Sequence, residues 1–324
     1  MLLSICVPSY NRGHRAFELV IKLLSMNYGE EIEVICSNNG SDQNVEGYQK
    51  MKEIADERFI YHEFSENQGY VGNVNQVIKM SRAKFCLLLS DEDMVVEPNL
   101  DFYIRLLREY PQLAIVKGRT SKMYNHMRDR YEDAGKKAIE AFYMNGNYVS
   151  GVIYNRAIIT DKVIDEYARR YKENVAYQFY PHMFYDAYAL VHGDFYCSEV
   201  WLVDEGTAEE DLTLAENGPD SPVAEYGTWE GRLAQMHGFA EQIRDMRTSP
   251  AIKFQMFIQL CEKTNFLVNL HREKYIRAGY EWEKIMYKVS EEMKMALKYI
   301  CILTQKDEVE VVHEFIDSIT VCAE

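Results

Sequence analysis

The sequence predicts an α/β fold: a doubly wound, mostly parallel central sheet flanked by helices, followed by a C-terminal helical region. Three observations predict it. Over the first 95 residues, short apolar runs alternate four times with helical periodicity, the order that builds a parallel sheet. The run "KFCLLLS" is continuously apolar, as strands covered on both faces are. From about residue 229 onward the apolar spacing is helical almost throughout.

The elements follow in order. "LLSICVP" reads as a buried strand closed by Pro8. In the next stretch Phe17, Val20, Ile21 and Leu24 have helical spacing. "EIEVICS" is a second strand, ending in the turn-rich "NNGSD". Residues 45–56 read as helix and "RFIYHEF" as a third strand. "SENQGYVGN" reads as a Gly/Asn loop, "VNQVIKMSRA" as a helix and "KFCLLLS" as the fourth strand. The middle of the chain is mixed, with a helix at "LDFYIRLLREY", a strand at "LAIVKG" and a Tyr-rich stretch. Residues 205–228 lose hydrophobic periodicity and carry Pro, Gly and many acids, which reads as a long mobile or functional loop. Beyond it, Phe254, Phe257, Ile258 and Cys261, then Ile285, Val289, Met293 and Ala296, mark helix faces.

Composition narrows the function classes. A chain of 324 residues with 47% hydrophobic content has ample material for a core. The net charge of −15 argues against a basic surface that grips nucleic acid or an anionic membrane. Seven cysteines are scattered without a CxxC pair or zinc spacing, so they read as reduced, buried thiols of a cytosolic protein. Nothing approaches the roughly 18 apolar residues of a membrane helix, and the apolar N-terminal run is too short for a signal peptide. Peripheral contact with the inner face of a membrane stays open.

In doubly wound sheets, ligands bind at the carboxyl ends of the strands. The loops that follow the four strands are "PSYNR", "SNNGSD", "SENQG" and "SDED", all polar, and they are expected to converge on one crevice. The last carries Ser90, Asp91, Glu92 and Asp93 at the end of an apolar strand. Such a carboxylate cluster is costly unless something positive sits there, and a divalent cation answers that need. Hard carboxylate oxygens suit Mn or Mg. On an extended strand end, Asp91 and Asp93 would share one face.

"ICVPSYNR", "EVICSNNGSD", "NQGYVGNVNQVI" and "FCLLLSDED", in this order and spacing, resemble the family 2 glycosyltransferases of the GT-A fold. The likeness covers about the first 100 residues well and extends more faintly to about 205. "VSGVIYNR" and "YPHMFYDAYAL" resemble a subset that builds bacterial surface sugars, the abequosyltransferase-like enzymes. The resemblance implies a GT-A catalytic domain over residues 1–205, with a nucleotide-sugar half at 1–96 and an acceptor half at 97–205. Residues 206–228 then form a loop and candidate lid, and 229–324 a helical extension.

The resemblance further implies a metal-dependent, inverting transfer from a nucleotide-sugar, with UDP-sugars favoured. The acceptor would be a hydroxyl of a glycan, lipid-linked glycan or glycoprotein. Asp93 would contact the metal. Asp91 would contact the ribose, or the metal through water. Pro8, Tyr10, Asn11 and Arg12 would lie against the base, with Asn38 standing where relatives carry Asp. Asn67, Gly69 and Asn73 would lie by the donor, and Glu92 belongs to the same acidic cluster. Asn11 also reads as a plain helix cap.

An inverting transferase needs a base for the acceptor hydroxyl. In relatives an acidic pair sits before a helix, at the place of "YPHMFYD" here. His182 and Asp186 are the candidates, one helical turn apart. His182 also reads as a packing histidine, and Asp204, Glu205, Glu209, Glu210 and Asp211 are further candidates. The aromatics between 142 and 201 read mainly as core, with sugar stacking as the alternative. Three rivals stand beside this reading. "SDEDMV" fits a haloacid-dehalogenase-type phosphatase with Asp91 as nucleophile, although that motif belongs after a first strand. A nucleotidyltransferase would need a glycine-rich, basic first loop, which "PSYNRGHR" is not. A catalytically inactive scaffold is opposed by the intact DED cluster. In any of these, the C-terminal helices are candidates for homo-oligomer contacts.

Overall fold

A computed structural model describes residues 1–121, 128–146, 148–206, 227–300 and 306–320. Nine strands form one sheet: β1 (Leu3–Ser9), β2 (Ile32–Asn38), β3 (Phe59–Glu63), β4 (Phe85–Leu88), β5 (Met94–Val95), β6 (Ile115–Thr120), β7 (Arg130–Glu132), β8 (Val152–Asn155) and β9 (Phe195–Asp204). Their order is β3-β2-β1-β4-β8-β6-β9-β5, with β7 also paired to β9. The four N-terminal strands are mutually parallel, as the alternation predicts. β8 runs antiparallel between β4 and β6, and short β5 and β7 run antiparallel to β9.

The strands read as unbroken apolar runs because both faces are covered. Cys6, Ile35, Cys86 and Leu88 point into one core, and Ile5, Val7, Val34, Cys36 and Leu87 into the other, the two-residue alternation of a pleated strand. The second face is covered by α1 (Gly13–Ser25), α2 (Glu46–Met51) and α4 (Glu97–Glu109). The first takes α3 (Gly69–Met80), α5 (Lys136–Phe142), α6 (Asp161–Arg170), α7 (Val175–Phe179) and α8 (Pro181–His192).

The chain then continues into α9 (Trp229–Asp245), α10 (Pro250–Asn269), α11 (Arg272–Arg277), α12 (Trp282–Ile300) and α13 (Lys306–Thr320). Met236, Phe239, Met256 and Phe257 of these helices belong to the same core as Phe184 and Leu190 of α8, so the helical extension is packed onto the sheet domain. Thr228 and Ser249 cap α9 and α10 by accepting from the backbone N–H groups of Gly231 and Ile252. No helix among the described residues is long and apolar enough to cross a membrane. Cys6, Cys36, Cys86, Cys197 and Cys261 are buried free thiols. Residues 207–226, which include most of the candidate lid with Glu209, Glu210 and Asp211, lie outside the described residues.

Three helices differ from the sequence reading, and the simplest case is α2, which stops at Met51 where the reading ran to 56. In α1 the buried stripe is Gly13, Ala16, Leu19, Val20 and Leu23, while Ile21 is 44% exposed. The cause lies in the neighbour: a Cβ on Gly47 of α2 would stand 1.9 Å from the Gly13 carbonyl oxygen. That backbone contact turns the face carrying Gly13 inward. α3 begins at Gly69, inside the expected loop, where the Asn67 side chain accepts from the Gly69 N–H at 2.8 Å.

The α1–α2 contact gives a stability expectation. Gly47→Ala gains helix propensity worth about 1 kcal/mol, but the new methyl meets backbone that cannot give way. We expect a net loss of roughly 1–3 kcal/mol in urea unfolding. A variant as stable as the parent would contradict the close packing.

Candidate active site

The site is built where the parallel strands end. Ser9 pairs with Asn38 at the ends of β1 and β2. β4 stops early: Leu88 pairs with Cys6, and β1 runs on to Ser9. The chain after β4 therefore turns under the end of β1, with the Asp93 N–H donating to the Ser90 carbonyl at 3.1 Å. This turn corrects the expectation of an extended end. Asp91 and Asp93 do not share a face; they point to different partners.

Asp91 accepts from the Ser9 hydroxyl at 2.6 Å and from Arg12 Nη1 at 3.1 Å. Arg12 Nη1 also reaches Glu92 Oε2 at 2.9 Å. Burial pushes the Asp91 carboxyl up, against the pull of Ser9 and Arg12. Asp93 accepts from the Tyr148 hydroxyl at 2.6 Å, from Ser150 Oγ and from the Gly206 N–H at 2.9 Å. Its donors are all neutral. Burial pushes its carboxyl up as well, and the charge of Glu205 adds to the rise. Gly206 has to be glycine at this approach, since a Cβ would meet the Glu92 carbonyl oxygen at 1.9 Å.

Above this floor opens a cleft of about 630 Å³, within the range of sites for small organic ligands. Pro8, Tyr10, Asn11, Arg12, Asn67, Gly69, Asn73 and Asp91 line it, as the loops predict. Tyr10 is exposed there. Asn11 has a positive φ of 56°, a conformation asparagine tolerates, and its side chain does not cap α1. Instead its Oδ1 accepts from the N–H groups of Asp42 and Gln43, both at 3.2 Å, tying the loops after β1 and β2 together. Asn73 braces the cleft from below, donating to the carbonyls of Ser9 and Ser37.

Asn38 is buried with its Oδ1 on the Ser41 N–H, and its neighbour Asn39 lines the cleft instead. Asn39 donates to Asn67 Oδ1 and to the Gly69 carbonyl, and accepts from the Gln68 N–H. Ser9, Tyr70 and Ser90 also line the cleft, from stretches the loops already mark, and Val149 joins them from outside those loops. For Asn39 a signal existed: adjacent residues at a strand end face opposite ways, so one of the two asparagines had to turn away.

His182 and Asp186 lie together, one layer below. The His182 ring Nε2 is 2.9 Å from the Gly146 carbonyl oxygen. Asp186 accepts from the Tyr154 hydroxyl at 2.5 Å. Both side chains are buried, and neither lines the cleft. The segment that covers them also carries Val149 of the cleft wall and the two hydroxyls on Asp93. Beneath it, buried Lys117 donates to the Tyr148 and Ser150 carbonyls at 3.1 and 2.6 Å. The aromatics of this corner are core: Tyr143, Tyr154, Tyr177, Phe184 and Tyr185 are buried.

Burial pushes the Asp186 carboxyl up to about 7 and the Lys117 ammonium down to about 8. The raised carboxyl binds its proton more tightly folded than unfolded. Stability is therefore lost as pH climbs from about 4 to about 7, by at most about 1.4 kcal/mol per unit from this group. Asp186→Asn should flatten that part of the profile in urea melts run from pH 4.5 to 7.5. Parallel profiles for variant and parent would rule the assignment out.

Among the described residues no group of three His, Cys, Asp or Glu side chains is gathered around a metal position. The donor chemistry nevertheless fits a hard cation at Asp93. Its carboxylate has only neutral donors, and Glu205 repels it, a strain that a divalent ion would relieve. Asp91 fits less well, because Arg12 already neutralises it.

Residues 4–118 match the family described as glycosyl transferase family 2. The chain carries a family 2 glycosyltransferase domain. That domain holds β1 to β4, α1 to α4 and the DED turn. Over 117 residues it is 26% identical to the poly-beta-1,6-N-acetyl-D-glucosamine synthase of Staphylococcus aureus (strain COL), covering 36% of this chain and 28% of that protein. The chain spans about a third of the length of the curated relatives it matches.

Among solved structures, S. aureus TarS 1–349 in complex with UDP-GlcNAc aligns with a TM-score of 0.60 at 13% identity, over 99% of this chain and 88% of that one. The mannosyltransferase PcManGT from Pyrobaculum calidifontis, in complex with GDP-Man and Mn2+, aligns at 0.50 with 11% identity, over 98% and 84%. The family 2 domain thus has the GT-A fold, and the likeness to TarS extends through the C-terminal helices.

Proposed function

We propose that this chain transfers a sugar from a nucleotide-sugar, UDP-linked in first preference, to a hydroxyl of a glycan or glycoprotein acceptor in bacterial surface assembly, with inversion. The observation that carries the reading is the cleft at the ends of β1, β2 and β4, with Ser90 and Asp91 of the DED turn in its lining and Asp93 directly behind them. It places aromatic and amide groups, suited to a base and a ribose, opposite carboxylates that suit a diphosphate only with a cation between them. TarS, with UDP-GlcNAc in its structure, supports the choice of nucleotide.

Tyr10 and the asparagines at 11, 39 and 67 would meet the base and ribose. Arg12 fixes Asp91 and Glu92 at the cleft floor. Asp93 and Glu205 would hold Mn or Mg, which when bound offsets the charge that builds on a departing diphosphate. Lys117 holds the backbone of the segment whose hydroxyls orient Asp93. His182, the candidate proton acceptor of the sequence reading, is buried one segment behind the cleft wall, and that segment would have to move aside for it to meet an acceptor hydroxyl. A phosphatase role for Asp91 finds no support, since both its oxygens are held by Ser9 and Arg12.

The test is a thermal-shift screen of UDP, GDP, CDP and dTDP, each with and without Mn. A nucleotide at a hundredfold excess over its Kd stabilises by roughly 2.7 kcal/mol. UDP with Mn should give the largest shift. Indifference to every nucleotide would sink the donor reading, and a preference for GDP would reassign it.

A further inference from the structure

A second cavity lies away from the cleft, in the seam between the sheet domain and the C-terminal helices. It encloses about 60 Å³ and is lined by Tyr180 and Met183 at the α7–α8 elbow, Arg232 and Gln235 of α9, and Lys263 and Thr264 of α10, among otherwise apolar walls. At about 15 Å³ for each water-sized site, it has room for a group of about four non-hydrogen atoms. A sugar ring does not fit; a tetrahedral or planar oxyanion does.

Its charge is the unusual feature. In a chain of net charge −15, two cations share this small apolar space. Lys263 makes no hydrogen bond or ion pair with a described residue; its ammonium lies 5.6 Å from the Phe266 ring centroid. Burial and then the charge of Arg232 push Lys263 down. Two like charges in a low-dielectric pocket repel strongly, and an anion between them turns that repulsion into attraction. Arg232 carries a planar fork of N–H donors suited to phosphoryl or carboxylate oxygens, whose Nη1 donates to the Tyr180 hydroxyl at 3.1 Å and to Gln235 Oε1 at 2.9 Å.

We propose that this seam cavity is an oxyanion site, taking a phosphoryl or carboxylate group between Arg232 and Lys263. Tyr180 links it to the rest of the molecule. Its hydroxyl accepts from Arg232, its ring stacks on Phe239 of α9, and it precedes His182 by two residues. An anion bound in the seam therefore steadies the α7–α8 elbow against α9 and α10. The ion is either free in solution or carried on a saccharide.

The experiment needs no turnover, so it stands apart from the transferase reading. Inorganic phosphate is titrated by calorimetry into the parent protein, Lys263→Met and Lys263→Arg, with sodium chloride holding ionic strength constant. The parent should show saturable binding. Lys263→Met should weaken it at least tenfold, and Lys263→Arg should stay within a few-fold of the parent. Any phosphate taken up by the donor cleft is common to all three and cancels in the comparison. UDP affinity should be equal in all three. Methionine at 263 joins an apolar wall and removes a cation that has no ion pair among the described residues, so the variant should melt no lower than the parent.

Glucose 6-phosphate, with glucose as the neutral control, separates the sources. Binding tenfold tighter than inorganic phosphate, lost in Lys263→Met, assigns the group to a saccharide; equal affinities assign it to a free ion. Absence of saturable binding in the parent, or equal binding in Lys263→Met, overturns the proposal.

Discussion

Asp93→Asn should lose transfer activity by roughly 10²–10³-fold or more while the fold stands. Asparagine keeps the shape. The Gly206 N–H can still donate to its oxygen, and the Tyr148 and Ser150 hydroxyls can rotate to accept from its amide. What disappears is the negative charge that a divalent cation would use. Because burial already pushes the Asp93 carboxyl up, neutralising it should leave the melting temperature unchanged or raise it, the usual opposition of stability and function at a site. Mn should no longer strengthen UDP binding. A variant that keeps more than a tenth of the parent rate, or an unchanged response to Mn, would remove Asp93 from the metal site. The parent assayed in EDTA is the companion measurement, and full activity there would remove the metal altogether.

The second large effect is expected at the proton acceptor. A true base removed by mutation costs roughly 10²–10⁴-fold in kcat. If the segment covering His182 moves aside to admit the acceptor, His182→Ala should show that loss with nearly unchanged UDP affinity, because a base acts on the acceptor and not on the nucleotide. The acid limb of the parent's rate profile should vanish with it. Asp186→Asn should be mild in rate, since Asp186 is turned to Tyr154 in the core. Glu205→Gln is the third member of the set, because Glu205 stands beside Asp93. If both variants in the His182 corner keep near-full rate and Glu205→Gln does not, while Mn still strengthens UDP binding to Glu205→Gln, the base lies just after β9. A His182→Ala protein that melts far below the parent, with normal kcat in its folded fraction, would make the histidine a packing residue.

The legibility of these sites varied with how local their determinants were. Asp91 and Asp93 stood out because three acids at the end of an apolar strand are costly by themselves. Pro8, Tyr10, Asn11, Arg12, Asn67 and Gly69, named from the family resemblance, line one crevice because loops that follow parallel strands share one edge. Asn39 was missed and Asn38 taken in its place, an error of one residue in a two-residue alternation. The faces of α1 were rotated for a different reason: Gly13 and Gly47 are 34 positions apart, and no window of helical spacing registers their contact.

By itself the sequence determined the alternation of strand and helix, the parallel order of the first four strands, the edge on which the polar loops meet and the helical character of the C-terminal region. Each follows from periodicity within a few residues, where burial on one face or both leaves a direct imprint. Only the tertiary structure decided that Asp91 turns to Arg12 while Asp93 turns to Tyr148, Ser150 and Gly206. It also decided that His182 and Asp186 sit one layer below the cleft, and that Arg232 and Lys263 share a cavity. The physical reason is common to all three. β4 ends three residues short of β1, and Asp93 takes a partner from 113 residues away. Partners so remote are set by how layers pack, and packing leaves no local period to read.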